Sequence, residues 1–406
     1  MAAPGGEPAV KPLSISGLSL VSALGDELDA TWQALREGRS ALAPCRFEDL
    51  PIDAWAGEVQ GLNEPLPAAF SAFDCRNNRL AARALAADGF AQKVANAIAK
   101  YGAHRVGLFT GTSTSGILNT ELAYTARDPQ TGALPEGFAY AQTHNTHALG
   151  YYARARLGLA GPSFTLSTAC AATAKLFATA ARMINAGLCD AAVVGGADSF
   201  CGTTLFGFHA LGVMAEGPCR PFDKARNGIS IGEAAGFALL ERAPEMPEPN
   251  ALLLLGTGES SDAYHMSSPD PEGTGAAVAM RQALANAGLA PEEIDYINLH
   301  GTATLVGDSA EDKAVTGLFG PETPRSSAKS FTGHTLGAAG MVGAAMAALA
   351  IRRGFLPGSP HTQNLDPAFA SGHLLEGHPA PVRRVMCNAF GFGGVNCSFI
   401  LGSQTR

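Results

Sequence analysis

The sequence predicts a layered α/β protein built from two related halves, and three observations carry the prediction. Strand-like and helix-like runs alternate with short connections from Leu13 to Leu299, the pattern of helices layered on a sheet. The stretch Pro244-Glu-Met-Pro-Glu-Pro249 divides the chain and reads as a linker. On each side of it a small-residue helix that stops at glycine follows a reactive type of residue: ATAKLFATAARMINAG after Cys170 and TLGAAGMVGAAMAALAIRRG after His334. We read the pair as a faint internal duplication presenting equivalent helix starts to one site, with chance likeness of two small-residue helices as the alternative.

The elements follow in order. Residues 1–11 are rich in Pro and Gly and are expected to form a flexible lead. From Leu13 the run SISGLSLVSALG reads as a strand and a glycine-marked turn, and Asp26 to Arg36 as a helix. Arg105 to Thr110 is a strand signal running into the loop Gly111-Thr-Ser-Thr-Ser-Gly116. Ala191 to Gly196 and Ala235 to Leu240 are further apolar strands. After the linker come a strand from Ala251 to Gly256, a helix from about Gly275 to Ala287, and a strand from Tyr296 to Leu299. The expected halves are 12–245, with Cys170, and 250–406, with His300 and His334.

Composition narrows the classes of function. A chain of 406 residues with 46% hydrophobic residues, 16% charged residues and 48 glycines suits a compact enzyme with a large core. Its net charge of −8 argues against general nucleic-acid binding, which needs a basic footprint. The nearest approach to a bilayer-spanning run, which takes roughly 18–20 apolar residues, is Gly337 to Ile351, broken by glycines and closed by Arg352-Arg353. No signal peptide is legible at the N-terminus. The eight cysteines are scattered with no C-x-x-C pair, so free thiols in a reducing cytoplasm are expected.

The chemistry-bearing residues cluster around Cys170. In Pro162-Ser-Phe-Thr-Leu-Ser-Thr-Ala-Cys170-Ala-Ala-Thr-Ala a β-prone run meets a helix-prone run at the cysteine. That places the sulfur at a helix N-terminus, whose free N–H groups and dipole favour a thiolate. A candidate nucleophile for acyl transfer results; a buried structural cysteine is the bland alternative. A nucleophilic thiol needs proton handling and charge stabilisation nearby. His300 in HGTAT and His334 in KSFTGHTLGAAG occupy Gly-rich turns after β-prone runs, where loops on rigid strands build sites. Asp308 and Glu311 share a helical face at i and i+3, which makes Glu311 a candidate partner for Lys329; a solvated acidic helix start and a surface lysine are the alternatives. Glycines 391, 393 and 394 in NAFGFGGVN allow close backbone approach, as an oxyanion-binding amide requires, or simply form a tight turn. Gly228-Ile-Ser-Ile-Gly232 matches the G-x-S-x-G of serine hydrolases, but Ser230 follows a polar, turn-like run and precedes a strand-like one. His144 and His147 offer half a metal site with no completing ligand.

Together these segments resemble the type I/II β-ketoacyl-acyl-carrier-protein synthases, condensing enzymes with a thiolase fold. The resemblance runs from about residue 12 and rests on an ordered set: STACAATA at Cys170, PFDKARNGISIGEAAGFALLE, SDAYHMSSPDPEG at 261–273, HGTATLVGD at 300–308, KSFTGHTLGAAG and NAFGFGGVN. It implies a thiolase-like α-β-α-β-α layering with two pseudo-duplicated halves. It further implies that Cys170 accepts an acyl chain, and that His300 and His334 bind a malonyl thioester, assist its decarboxylation and stabilise the enolate. The chain then grows by two carbons. The same resemblance assigns the oxyanion hole to the backbone N–H groups of Cys170 and Phe392, and an aromatic gate to Phe392. Phe390 joins the substrate-binding set, Lys329 and Glu311 organise the site, and Thr302 and Thr304 hold a phosphopantetheine arm. That arm belongs to the partner, an acyl carrier protein, so no resident cofactor and no metal are implied. A homodimer is the family expectation, with a heterodimer with a chain-length factor as the alternative; Cys170 argues against an inactive chain-length factor.

Departures from the family pattern bear on the substrate. Leu305 stands where a proline is usual, Ala171-Ala172 where Thr-Ser or Ala-Ser is common, and Asp74-Cys-Arg-Asn-Asn-Arg79 is unlike the primary-metabolism enzymes. They leave the chemistry intact and the acyl substrate open between fatty-acid and polyketide-type synthesis, with a dedicated secondary pathway, such as an aryl polyene or other type II polyketide system, as the reading they suggest. Because the family's carrier protein is acidic, a local basic patch is expected on this acidic chain. Arg76, Arg79 and Arg83, on one helical face, are the expected docking residues.

Overall fold

The computed structural model describes residues 11–403; the lead expected over 1–11 lies, apart from Lys11, outside them. Ten strands form one mixed sheet: β1 (Leu13–Ser22), β2 (Val106–Gly111), β3 (Ser163–Leu166), β4 (Ala191–Asp198), β5 (Ala234–Arg242), β6 (Leu252–Ser261), β7 (Tyr296–Asn298), β8 (Arg325–Ser326), β9 (Arg384–Gly391) and β10 (Val395–Ser403). Their order is β8-β7-β9-β10-β6-β1-β5-β4-β2-β3. Outward from the centre the first half runs β1-β5-β4-β2-β3 and the second β6-β10-β9-β7-β8, the same order displaced by five. The strand directions repeat as well, two antiparallel pairings followed by two parallel ones in each half. Within the sheet the halves join, among the described residues, through two residue pairs, Leu13 with Leu254 and Ser14 with Leu253. The duplication is therefore a property of the fold.

The helices are α1 (Leu28–Glu37), α2 (Arg76–Ala86), α3 (Phe90–Tyr101), α4 (Ile117–Thr125), α5 (Ala148–Leu157), α6 (Ala172–Asn185), α7 (Gly202–Ala210), α8 (Thr274–Ala287), α9 (Leu305–Phe319), the single turn α10 (Lys329–Thr332) and α11 (Ala339–Arg353). Helices α2, α3 and α5 cover the outer face of the first half, and α8 covers the outer face of the second with α9 against it. Between the halves lie α6 and α11, each touching strands of both. This is the thiolase-like α-β-α-β-α layering. Helices apolar all round belong inside such a sandwich: every residue from Gly340 to Ala350 is buried, and so are most of α6. The segment Leu336–Arg353 is apolar enough to cross a membrane by composition, but 78% of it is buried in the fold.

The equivalence of the helix starts needs one correction. Cys170 lies in a 3-10 turn, Ala169–Ala171, that leads directly into α6. The matching turn before α11 is Leu336–Ala338, so the counterpart of Cys170 is Gly337, and His334 lies three residues earlier. Both turns open on a left-handed residue, Ala169 at φ 48° and Leu336 at φ 51°, a conformation that costs a non-glycine residue energy and persists only when its surroundings enforce it. The two helix starts touch: Thr173 Oγ1 donates to Gly337 O at 2.5 Å, and a Cβ on Gly340 would lie 2.3 Å from Ala174 N.

That contact generates a test. Gly340→Ala must push α6 and α11 apart and should lower unfolding free energy by about 1–3 kcal/mol. Gly207→Ala in α7, where an added Cβ meets nothing within 4 Å, should leave it unchanged or raise it by about 0.5–1 kcal/mol. Denaturant unfolding of both variants checks the contrast; equal effects would contradict the packing.

Candidate active site

A cavity of about 290 Å³ opens beside the two helix starts, with Cys170, His300 and His334 on its wall. Thr302, Thr304, Phe390 and Phe392 line it too. The three reactive residues come from three chain segments brought together by the duplicated fold.

His300 leaves the end of β7 in a loop pinned from behind by α9. Glu311 accepts the N–H groups of His300 at 2.8 Å and Gly301 at 2.7 Å, and also Asn388 Nδ2 at 3.2 Å. One turn earlier Asp308 accepts Ala303 N at 3.0 Å and Phe222 N at 2.7 Å. The i, i+3 carboxylates thus share a face as expected, and both clamp the His300 loop. Thr304 caps α9 by accepting Gly307 N at 3.2 Å, with Thr302 Oγ1 2.9 Å from Thr304 Oγ1. Lys329 was expected to pair with Glu311. Instead its Nζ donates to His300 O and lies 3.3 Å from His300 Nδ1; the two charges meet through the histidine, because Glu311 is already filled by amides.

His334 is fixed by its backbone, its N–H donating to Ser230 O at 2.6 Å. Its Nδ1 accepts Leu336 N at 3.2 Å. The His300 and His334 rings stand edge to face, with centroids 5.4 Å apart. A charged Lys329 ammonium can only donate, which makes His300 Nδ1 an acceptor like that of His334 and assigns the proton of each neutral imidazole to Nε2. The site therefore holds two Nε2–H donors.

Burial sets the ionisation. Both imidazoles are held well below the usual histidine range, first by burial and then by the charge of Lys329. Burial also lowers Lys329 and raises Glu311, and pushes Asp308 up to about 7. Cys170 corrects the expectation of a resting thiolate: the side chain is only 6% exposed, and burial pushes its thiol up to about 11. The charge of Lys329 and the backbone N–H groups of Phe392 and Cys170 pull in the other direction, but desolvation outweighs them. Those same two amides bear on the sulfur. Gly391 packs closely on the cysteine turn, since a Cβ there would sit 3.1 Å from Thr168 O and 3.3 Å from Ala171 N. Left-handed Gly393 and Gly394 turn the chain between β9 and β10. Phe392 lies at the mouth, 39% exposed, its ring 5.9 Å from that of Phe208; Phe390 packs 5.7 Å from His300.

Other expected residues lie elsewhere. Of the arginines expected to dock a carrier protein, Arg76 has a side chain 11% exposed that binds the buried Glu233 through Nε at 2.7 Å. Arg79 pairs with Asp74 at 2.6 Å and Arg83 with Asp26, so the three arginines form no free basic patch. Ser230 is fully buried, accepting Cys219 N at 2.9 Å and followed by a strand pair, with no helix after it. His144 is hydrogen-bonded to Thr120 Oγ1 at 2.7 Å. Sequence reasoning missed Asn388 and Phe208; Asn388 opens the NAFGFGG run and was within reach of it, while nothing local marks Phe208.

An acyl-transfer site on a thiolase-like fold is what this geometry defines. The chain matches the family described as Beta-ketoacyl synthase, N-terminal domain, over residues 10–246, and Beta-ketoacyl synthase, C-terminal domain, over residues 252–363, and it belongs to the β-ketoacyl synthase family. It is 33% identical to the 3-oxoacyl-[acyl-carrier-protein] synthase 2 of Vibrio cholerae and 32% identical to that of Coxiella burnetii, matching 95% of this chain and 97% of each relative. Among solved structures it is similar to the ketosynthase ApeO of Xenorhabdus doucetiae, in complex with its chain length factor ApeC, with 37% identity, a TM-score of 0.87, and coverage of 98% of this chain and 100% of that one.

The lowered imidazoles make stability depend on pH. Below the ordinary histidine value of 6.5 the unfolded chain takes up protons that native His300 and His334 refuse, so stability is present above that pH and falls as pH drops through it. Asp308, whose carboxyl is pushed up to about 7, acts in the opposite direction over the same range, so the histidine contribution is read by denaturant unfolding between about pH 7.5 and pH 5 as the difference between wild type and variant. In His334→Asn the slope should be shallower by up to about 1.4 kcal/mol per pH unit; an unchanged slope would mean that His334 is protonated in the fold.

Proposed function

We propose that the cavity takes an acyl chain from an acyl carrier protein onto Cys170 and extends it by two carbons from a malonyl thioester. The observation that carries this is the convergence of a buried thiol, two backbone N–H groups at its sulfur, and two neutral Nε2–H donors on one cavity.

In the first step the Cys170 sulfur attacks the thioester carbonyl. The amides of Cys170 and Phe392 receive the negative charge on its oxygen. The carrier's C–S bond breaks, and the carrier thiol leaves with the proton given up by Cys170. In the second step the malonyl thioester lies against His300 and His334. Loss of CO₂ leaves an electron pair on the α-carbon, and the two Nε2–H groups stabilise the enolate oxygen. Neutral donors suit this, since the histidines need not lose or gain a proton. Lys329 holds Nδ1 of His300 as the acceptor, and Glu311 holds the loop. The enolate carbon then attacks the acyl carbonyl, the bond to Cys170 breaks, and the sulfur recovers a proton from solvent. Thr302 and Thr304, on the cavity wall beside the reacting groups, would meet the arm of the carrier.

The reading includes a second chain. β3 is the outer edge strand of the sheet and only half-buried, and an unpaired edge is a template for another strand. Tyr151 of α5, which packs on β3, is exposed. Supporting a ketosynthase that works beside a chain-length factor, in a polyketide-type or aryl polyene pathway, is the 37% identity to ApeO, a protein seen with its chain length factor. Free cysteines and the burial of Leu336–Arg353 support a cytoplasmic setting.

Intact-protein mass spectrometry tests the chemistry. Incubation with an acyl-charged carrier protein should add the acyl mass to the wild type and not to Cys170→Ala, and malonyl carrier protein should then release a ketoacyl chain two carbons longer. Absence of acylation with saturated, unsaturated and aryl chains, with and without a partner subunit, would overturn the reading. His300→Ala and His334→Ala should still acylate but lose decarboxylation by about 10²–10³-fold.

A further inference from the structure

Asp198 takes no part in the steps above, yet its carboxylate is fully buried beside them at the end of β4. Its Oδ1 accepts four hydrogen bonds: Thr112 Oγ1 at 2.7 Å, Ser113 N at 2.7 Å, Thr114 N at 2.8 Å and Thr114 Oγ1 at 2.9 Å. Its Oδ2 has no hydrogen-bond partner among the described residues. That oxygen faces Gly337, where an added Cβ would lie 2.7 Å from it. Ser113 passes the contact on, its Oγ donating at 3.3 Å to the carbonyl of Ala169, the left-handed residue before Cys170.

The carboxylate therefore ties together both helix-start turns, one through Ser113 and one by direct approach to Gly337. Four donors on a single oxygen favour the ionised form, whereas full burial opposes it and raises the pKa of Asp198. The nearby charges acting on the Cys170 sulfur are Lys329, from α10, which favours a thiolate, and Asp198, from β4, which opposes it. The neutral His300 and His334 share the cavity, and Glu311 lies behind the His300 loop.

We propose that Asp198 is a positioning residue for the nucleophile: it fixes the Thr112–Thr114 loop, whose Ser113 holds the Ala169–Ala171 turn, and its negative charge counterbalances Lys329 at the sulfur. The effect is a thiol that stays neutral and aligned at rest. The inference rests on Cys170 being the acyl acceptor, but its test reads the thiol directly and needs no carrier substrate. A failure here leaves carrier acylation standing, and a failure of carrier acylation leaves this result readable.

The experiment is iodoacetamide alkylation of Cys170, resolved by peptide mass, from about pH 7 to about pH 11.5, a range that reaches the bend of the thiol's titration. Asp198→Asn keeps the accepting oxygen and the shape while removing the charge. Its alkylation curve should move to lower pH, with the rate at pH 7.5 rising roughly tenfold, the change given by a one-unit fall in thiol pKa. A curve superimposable on the wild type, or a rate lowered by one factor at every pH, would make Asp198 a packing residue and overturn the electrostatic half of the proposal. Ser113→Ala breaks only the link to Ala169, and its outcome stands even if Asp198→Asn fails to fold. It should slow alkylation several-fold at all pH values without moving the curve; an unchanged rate would overturn the positioning half.

Discussion

The contact between the starts of α6 and α11 is the constraint on which the rest depends. Two helices buried over most of their length meet where Thr173 Oγ1 reaches Gly337 O and Gly340 lies against the backbone of Ala174. Only a glycine allows that approach, and it brings two left-handed turns together at the centre of the sandwich. Cys170 is carried by one turn. His334 stands just ahead of the other. The remaining histidine arrives on β7, through the parallel strand order that the second half repeats from the first. Duplication thus supplies the frame, and divergence between the copies supplies the chemistry, with a sulfur in one turn and a bare glycine in its counterpart.

Burial then decides the charges. A site sunk this deep makes every ion costly, so its histidines stay neutral and its cysteine stays a thiol. The hydrogen bonds turn that into function. Lys329 and the amide of Leu336 occupy Nδ1 of the two rings, leaving Nε2–H on both, and the amides of Cys170 and Phe392 gather at the sulfur. Donors already in place need no rearrangement when negative charge develops on a substrate oxygen, which is how a preorganised site lowers a barrier. Glu311 and Asp308 contribute indirectly, by taking backbone N–H groups and fixing the loop that carries His300.

Much of this was legible in the sequence, for physical reasons. Cys170, His300 and His334 each sit at a junction between a β-prone run and a glycine or small-residue run, and such junctions become the ends of strands facing a common crevice. The duplication is legible in two helices but three residues out of register, because residue type singles out His334 while the backbone equivalence belongs to Gly337. What stayed hidden depends on who occupies whom. Local spacing puts Arg76, Arg79 and Arg83 on one face, but cannot show that Glu233, 157 positions away from Arg76, draws that arginine inward. It likewise cannot show that Glu311 is consumed by amides before Lys329 reaches it. The thiolate expected at a helix start fails for a related reason, since dipole and amides are local while desolvation is set by the whole fold.

The central claim is that both histidines present Nε2–H donors from neutral rings. Nitrogen-15 NMR of the histidine-labelled enzyme at pH 7 tests it most directly, with His300→Ala and His334→Ala to assign the signals. The account predicts protonated Nε2 and unprotonated Nδ1 for both residues. Either ring found as an imidazolium, or with its proton on Nδ1, would contradict it.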